Sequence, residues 1–188
     1  MPRTTRAVWA LTLASLVWGG IVAYRLRWTT DDAFISFRYA RNLVDGLGLV
    51  FNAGERVEGY SNFLWTVWTA VGLRAGVTAE GWANAWSIAC YLGTIALLGW
   101  AHLERRRELG AAVWTLPLAA LGAALHPDWN AYATGGLETS LFTLLLVAGW
   151  WLVSGEPHPR RLGAAGLVFA AAALTRPDGV LPALVGGL

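Results

Sequence analysis

Thr29-Thr30-Asp31-Asp32-Ala33-Phe34-Ile35-Ser36-Phe37-Arg38-Tyr39-Ala40 sets two adjacent carboxylates at the start of an amphipathic helix, just after an uncharged apolar run. Ala33, Phe37, Ala40 and Val44 follow the i, i+4, i+7, i+11 spacing of one helical face, with Arg38, Arg41 and Asp45 on the other side. Thr29 to Asp32 supply capping residues and Gly46-Leu47-Gly48 supplies a stop. Such a helix is expected to lie along a membrane surface. Charges beside a bilayer persist where they are solvated, paired or used, so the segments flanking this pair decide how it is read.

Upstream, residues 7–24 carry no charge and match the roughly 17 to 25 residues of a membrane span, with Arg3 and Arg6 before them and Arg25 and Arg27 after. A secretory signal would have the same length. No small-x-small cleavage pattern closes this run and further apolar blocks follow, so it reads as a retained first helix. The whole chain agrees: 56% of it is hydrophobic, 14% is charged and the mean hydropathy is +0.47, whereas soluble domains are about 25% charged. The predicted fold is all-α, a polytopic transmembrane helical bundle. Twelve tryptophans suit interfacial belts. All 14 basic residues are arginine, the formal net charge is +2, and no basic run is long enough for nucleic acid. The single cysteine, Cys90, rules out an intrachain disulfide and a thiolate metal site.

Beyond the opening stretch, residues 28–80 read as one outer loop with surface helices. Within it, 49–61 have turn chemistry and 63–77 form a short apolar segment carrying Arg74. Spans are expected at about 82–101, 111–127 (with Pro117 inside), 137–153 and 162–174, and a further one starts at 180–188, as in a piece of a longer membrane domain. The arginines at 3 and 6, 105–107 and 160–161 mark cytoplasmic segments if an even number of crossings separates them. That parity requires 63–77 not to span. The loops bearing Asp31 and Asp32, Glu138, and Arg176 with Asp178 then all fall on the outer face.

Two neighbouring carboxylates suit a division of labour in which one is a general base on an acceptor hydroxyl. The other positions that hydroxyl or helps hold a divalent cation, Mg or Mn, for which Asp31 and Glu138 are the candidate ligands. Plainer roles compete: a solvated cap for the pair, helix-dipole placement for Glu138, and an interfacial ion pair for Arg176 and Asp178 beside Pro177. Functionally, the Arg176 guanidinium suits a phosphate. His102, His126 and His158 are spaced too widely for a shared metal and read as structural.

Residues 31–43, 46–52 and 58–65, the last Glu58-Gly59-Tyr60-Ser61-Asn62-Phe63-Leu64-Trp65, resemble the first outer loop of GT-C membrane glycosyltransferases. In particular they resemble that of the actinobacterial terminal β-(1→2)-arabinofuranosyltransferase group, and proteins named for flagellar motor control share the pattern. Gly135-Gly136-Leu137-Glu138-Thr139 and Thr175-Arg176-Pro177-Asp178-Gly179 fall where such proteins carry their second and third outer motifs. The resemblance implies an inverting transfer of a sugar, arabinofuranose, from a polyprenyl-phosphate donor to a cell-envelope glycan acceptor at the outer face of the plasma membrane. It gives Asp32, or its neighbour Asp31, the role of base and has Glu138 assist at the acceptor or a metal. Arg38, Tyr60, Asn62, Arg176 and Asp178 become candidate donor or acceptor contacts. Asp32 is the preferred base because the helix backbone fixes its direction better. Family members carry more spans and often a soluble C-terminal domain, neither of which lies in this sequence. The competing class is a non-catalytic transporter or assembly factor of the same fold, whose acids would face a path near the bilayer midplane.

Overall fold

A computed structural model describes residues 3–110 and 116–186. Regular structure among the described residues is helical throughout: α1 (Arg3–Arg25), α2 (Asp31–Val44), α3 (Phe63–Arg74), α4 (Ala79–Glu108), α5 (Leu118–Leu125), α6 (Pro127–Tyr132), α7 (Thr139–Val153), α8 (Pro159–Thr175), a single 3-10 turn at Pro177–Gly179, and α9 (Val180–Gly186). Two of these, Thr4–Arg25 and Ala79–Glu108, contain an 18-residue stretch apolar enough to cross a membrane. At about 1.5 Å per residue they measure roughly 33 and 45 Å, against a hydrocarbon core of about 30 Å. α7 is apolar but shorter.

Small residues let these helices approach closely. Gly99 of α4 lies against Thr12 of α1, and Gly19 of α1 lies against Tyr91 and Ile95 of α4, so the two run antiparallel. Gly93 meets Leu144, and Trp151 Nε1 donates to Glu104 Oε2 at 2.6 Å, so α7 runs parallel to α4. Gly149 abuts Phe169, and Arg161 donates to the Trp151 and Leu152 carbonyls, which turns α8 antiparallel to α7. One end of the bundle therefore gathers the C-termini of α1 and α8 with the N-termini of α4 and α7. Arg105 to Arg107 and Arg160 to Arg161 cluster at the other end.

α2 and α3 lie across the first end. Ala33, Phe37 and Ala40 are buried, as the α2 periodicity predicts, while Val44 is half-buried. Gly46, at φ 81°, ends the helix, its N–H donating to Leu43 O while that of Leu47 reaches Asn42 O. The N-terminus differs from expectation: Thr30 holds the cap position but its hydroxyl makes no capping bond. α3 has 12 residues, about 18 Å, too short to span. It buries Trp65, Thr66, Thr69 and Ala70 between α2 and α4.

The block expected at 111–127 is not a single helix where it is described, residues 111–115 lying outside the described range. α5 covers eight residues from a cap at Pro117, and the chain turns at His126 before Pro127 opens α6. Proline disfavours helical geometry in the residue before it, which accounts for the break. Tyr91 and Asn130 satisfy the interruption: the Tyr91 hydroxyl bonds Asn130 Oδ1 and Ala123 O, and Asn130 Nδ2 donates to Ala124 O. His126 Nδ1 accepts from Trp129 N and His158 Nδ1 from Arg160 N, so both histidines cap helices, consistent with the structural roles expected of them.

Candidate functional site

The three polar motifs meet at one end of the bundle. Thr30 N–H donates to Gly135 O at 3.0 Å, which fastens the start of α2 to the loop before α7. Gly136 has φ 83°, and a Cβ there would lie 3.0 Å from Ala33 Cβ and from Thr29 Cγ2. This position needs glycine for its backbone angle and also for the space. Trp65 Nε1 donates to Gly136 O at 3.0 Å from the buried side, so the glycine pair is held on both flanks.

Glu138 follows as the cap residue of α7 and is half-buried. Asn62, 6% exposed, donates from Nδ2 to Glu138 Oε2 at 2.8 Å and accepts from Ser36 Oγ and Thr66 Oγ1, both at 3.0 Å. Ser36 is one turn after Asp32 on the same face of α2, so Asp32 heads the side of the helix that leads to Asn62 and Glu138. Both aspartates are solvent-exposed and sit in the first turn, where the helix dipole favours them. Asp31 belongs to a different face. It lines a groove of about 530 Å³ with Phe34, Arg38, Arg41, Phe51 and Glu80.

Arg176 reaches the same end from α8. Its guanidinium lies 5.2 Å from the centre of the Phe142 ring, one turn beyond Glu138, and Nε pairs with Asp178 Oδ1 at 3.1 Å. Arg38 donates from Nε to Phe51 O at 3.0 Å on the Asp31 side. Tyr60 packs on Tyr39 at 4.6 Å between ring centres and lines a separate pocket of about 410 Å³ with Arg56 and Glu58. Burial, then the Glu58 charge and then Tyr39 push the Tyr60 hydroxyl above its usual range, so it stays a protonated donor at neutral pH.

Of the expected site residues, Asn62 and Glu138 are hydrogen-bonded, Asp32 lies one turn before Ser36 on α2, and Arg176 with Asp178 lies beside Phe142 of α7, while Asp31 and Arg38 share a groove and Tyr60 packs on Tyr39. Among the described residues no three His, Cys, Asp or Glu side chains converge as a metal site, and Glu138 is not among the residues that line the Asp31 groove. The two proposed cation ligands therefore do not line that groove together. Ser36, Thr66 and Trp65 were not singled out from sequence. The available signal was a serine on the buried stripe of α2, between Ala33 and Ala40.

A helical protein with membrane-length helices and an acid-bearing end braced by buried amides and hydroxyls is the class these features define. Curated relatives make it more particular. The chain is 33% identical over 197 residues to the terminal β-(1→2)-arabinofuranosyltransferase of Mycobacterium tuberculosis, covering 97% of this chain and 30% of that protein. It is 33% identical over 168 residues to the protein of the same name from Corynebacterium glutamicum, covering 82% of this chain and 24% of that one. This chain is a relative of the actinobacterial terminal arabinofuranosyltransferases and spans less than a third of their length. No family model matches it, and no solved structure does.

Proposed function

We propose that this chain is the part of a GT-C-type membrane glycosyltransferase that carries its acceptor-activating acids. The full-length protein moves arabinofuranose from a polyprenyl-phosphate donor to a cell-envelope glycan at the outer face of the plasma membrane. The observation that carries this reading is the joining of the α2 and α7 motifs, through Thr30 to Gly135 and through Asn62 to Glu138. The name of the two relatives supplies the sugar.

In an inverting displacement, the Asp32 carboxylate takes the proton of an acceptor hydroxyl as that oxygen bonds the anomeric carbon. The bond from that carbon to the donor phosphate breaks on the opposite side. Glu138 orients the acceptor. Arg176 faces the departing phosphate charge with its planar Nη fork while Asp178 holds Nε. A bilayer setting is supported by the large apolar side chains that α1 leaves exposed, Leu13 at 62%, Val17 at 55% and Trp18 at 53%. Placement of the acids at a bundle end, away from its middle, favours the transferase over the transporter.

A lipid-linked sugar transfer assay on the full-length protein tests this. Asp32→Asn is expected to insert normally and lose about 10²- to 10⁴-fold in transfer, whereas Asp31→Asn loses far less. Wild-type turnover by Asp32→Asn overturns the base assignment.

A further inference from the structure

Asn62 links three helices by hydrogen bonds that leave its amide a single orientation. Its Oδ1 accepts from two hydroxyls, Ser36 on α2 and Thr66 on α3, and its Nδ2 donates to the Glu138 carboxylate. The flipped amide would set Oδ1, which only accepts, against the Glu138 carboxyl oxygen in place of the N–H that now bonds it. Ser36 is 3% exposed, Asn62 6% and Thr66 0%. Apolar residues would fill that space without the desolvation cost that three buried polar groups incur unless paired. Their bonds converge on Asn62, and the chain of donors ends at Glu138 Oε2.

We infer that Asn62 is a positioning residue. Clamped by Ser36 and Thr66, it holds Glu138 Oε2, leaves Oε1 for the acceptor, and itself touches neither sugar. This rests on the transferase reading and replaces the ligand contact expected of Asn62 from the resemblance. The other charged groups at this end, Asp31 and Asp32 on α2, Glu80 on α4, and Arg176 and Asp178 after α8, stay unchanged in the test.

The test compares the full-length wild type with Asn62→Asp, Asn62→Ala and the double variant Asn62→Asp/Glu138→Gln, reading transfer kinetics and thermal melting in detergent against pH. Asn62→Asp sets two carboxyls against each other, and one of them must keep a proton to bridge the pair, at a raised pKa. A raised folded pKa gives an interaction present below it and lost as pH rises through it. The transfer rate and melting temperature of Asn62→Asp, relative to wild type, should therefore be near normal at about pH 5 and fall by about pH 8. Asn62→Ala should lower kcat on the order of 10²-fold at every pH, with a smaller change in KM. The double variant exchanges donor and acceptor, so its melting temperature should recover and lose the pH dependence while transfer is lost with the Glu138 carboxylate.

A pH-independent ratio of Asn62→Asp to wild type overturns the clamp, as does a double variant no more stable than Asn62→Asp. If Asn62→Ala fails to fold, the low-pH behaviour of Asn62→Asp decides. A wild type that melts normally but transfers no sugar sinks the transferase reading, and the melting series still judges the clamp.

Discussion

Direction separates the two adjacent aspartates, since both are exposed and both begin the same helix. Asp32 shares a face with Ser36 and so with the Asn62 to Glu138 chain, whereas Asp31 opens onto the groove of Arg38 and Glu80. At the same scale, Gly136 fixes where Glu138 starts. Gly136→Ala strains a positive φ and meets Ala33 and Thr29, so it should cost about 1 to 3 kcal/mol and reduce transfer. Gly48→Ala, at φ 86° with open space around it, should show the smaller backbone cost and keep transfer. Thermal melts of both variants alongside the transfer assay check the contrast. Asp32 and Glu138 were legible in sequence because charge is conspicuous in so apolar a chain. The hold on Gly136 was not, since an indole N–H reaching a carbonyl 71 residues away leaves no local pattern.

Helix by helix, legibility followed periodicity. α2 shows its buried face as a clean repeat, and the shortness of α3 was readable from length and from Arg74 before Gly76. The block at 111–127 was harder to read. Its hydropathy is that of a span, while Pro127 and the Tyr91 and Asn130 bonds that accommodate the interruption act locally or across the fold. Close packing of α7 on α8 predicts opposite outcomes for two glycines. A Cβ on Gly149 would lie 2.6 Å from Phe169 Cε1, so Gly149→Leu should destabilise by about 1 to 3 kcal/mol. Gly163 in α8 has open space around it, so Gly163→Ala should stabilise by about 0.5 to 1 kcal/mol through helix propensity. Thermal unfolding in one detergent reads both signs.

For the whole molecule, the arginine-marked turns and the acid-bearing loops occupy opposite ends, the arrangement that charge parity along the sequence predicts. Packing produces it independently, through the antiparallel, parallel and antiparallel order of α1, α4, α7 and α8. The central claim is that Asp32, Glu138 and Asp178 belong to one site on one side of the membrane. Single cysteines at these positions in a Cys90→Ala background of the full-length protein, labelled in intact cells with a membrane-impermeant thiol reagent, test it most directly. All three should label from outside, while a cysteine replacing the exposed Arg105 should label only after the membrane is opened. Labelling of any two of the three from opposite sides would contradict a shared site, and with it the transferase reading.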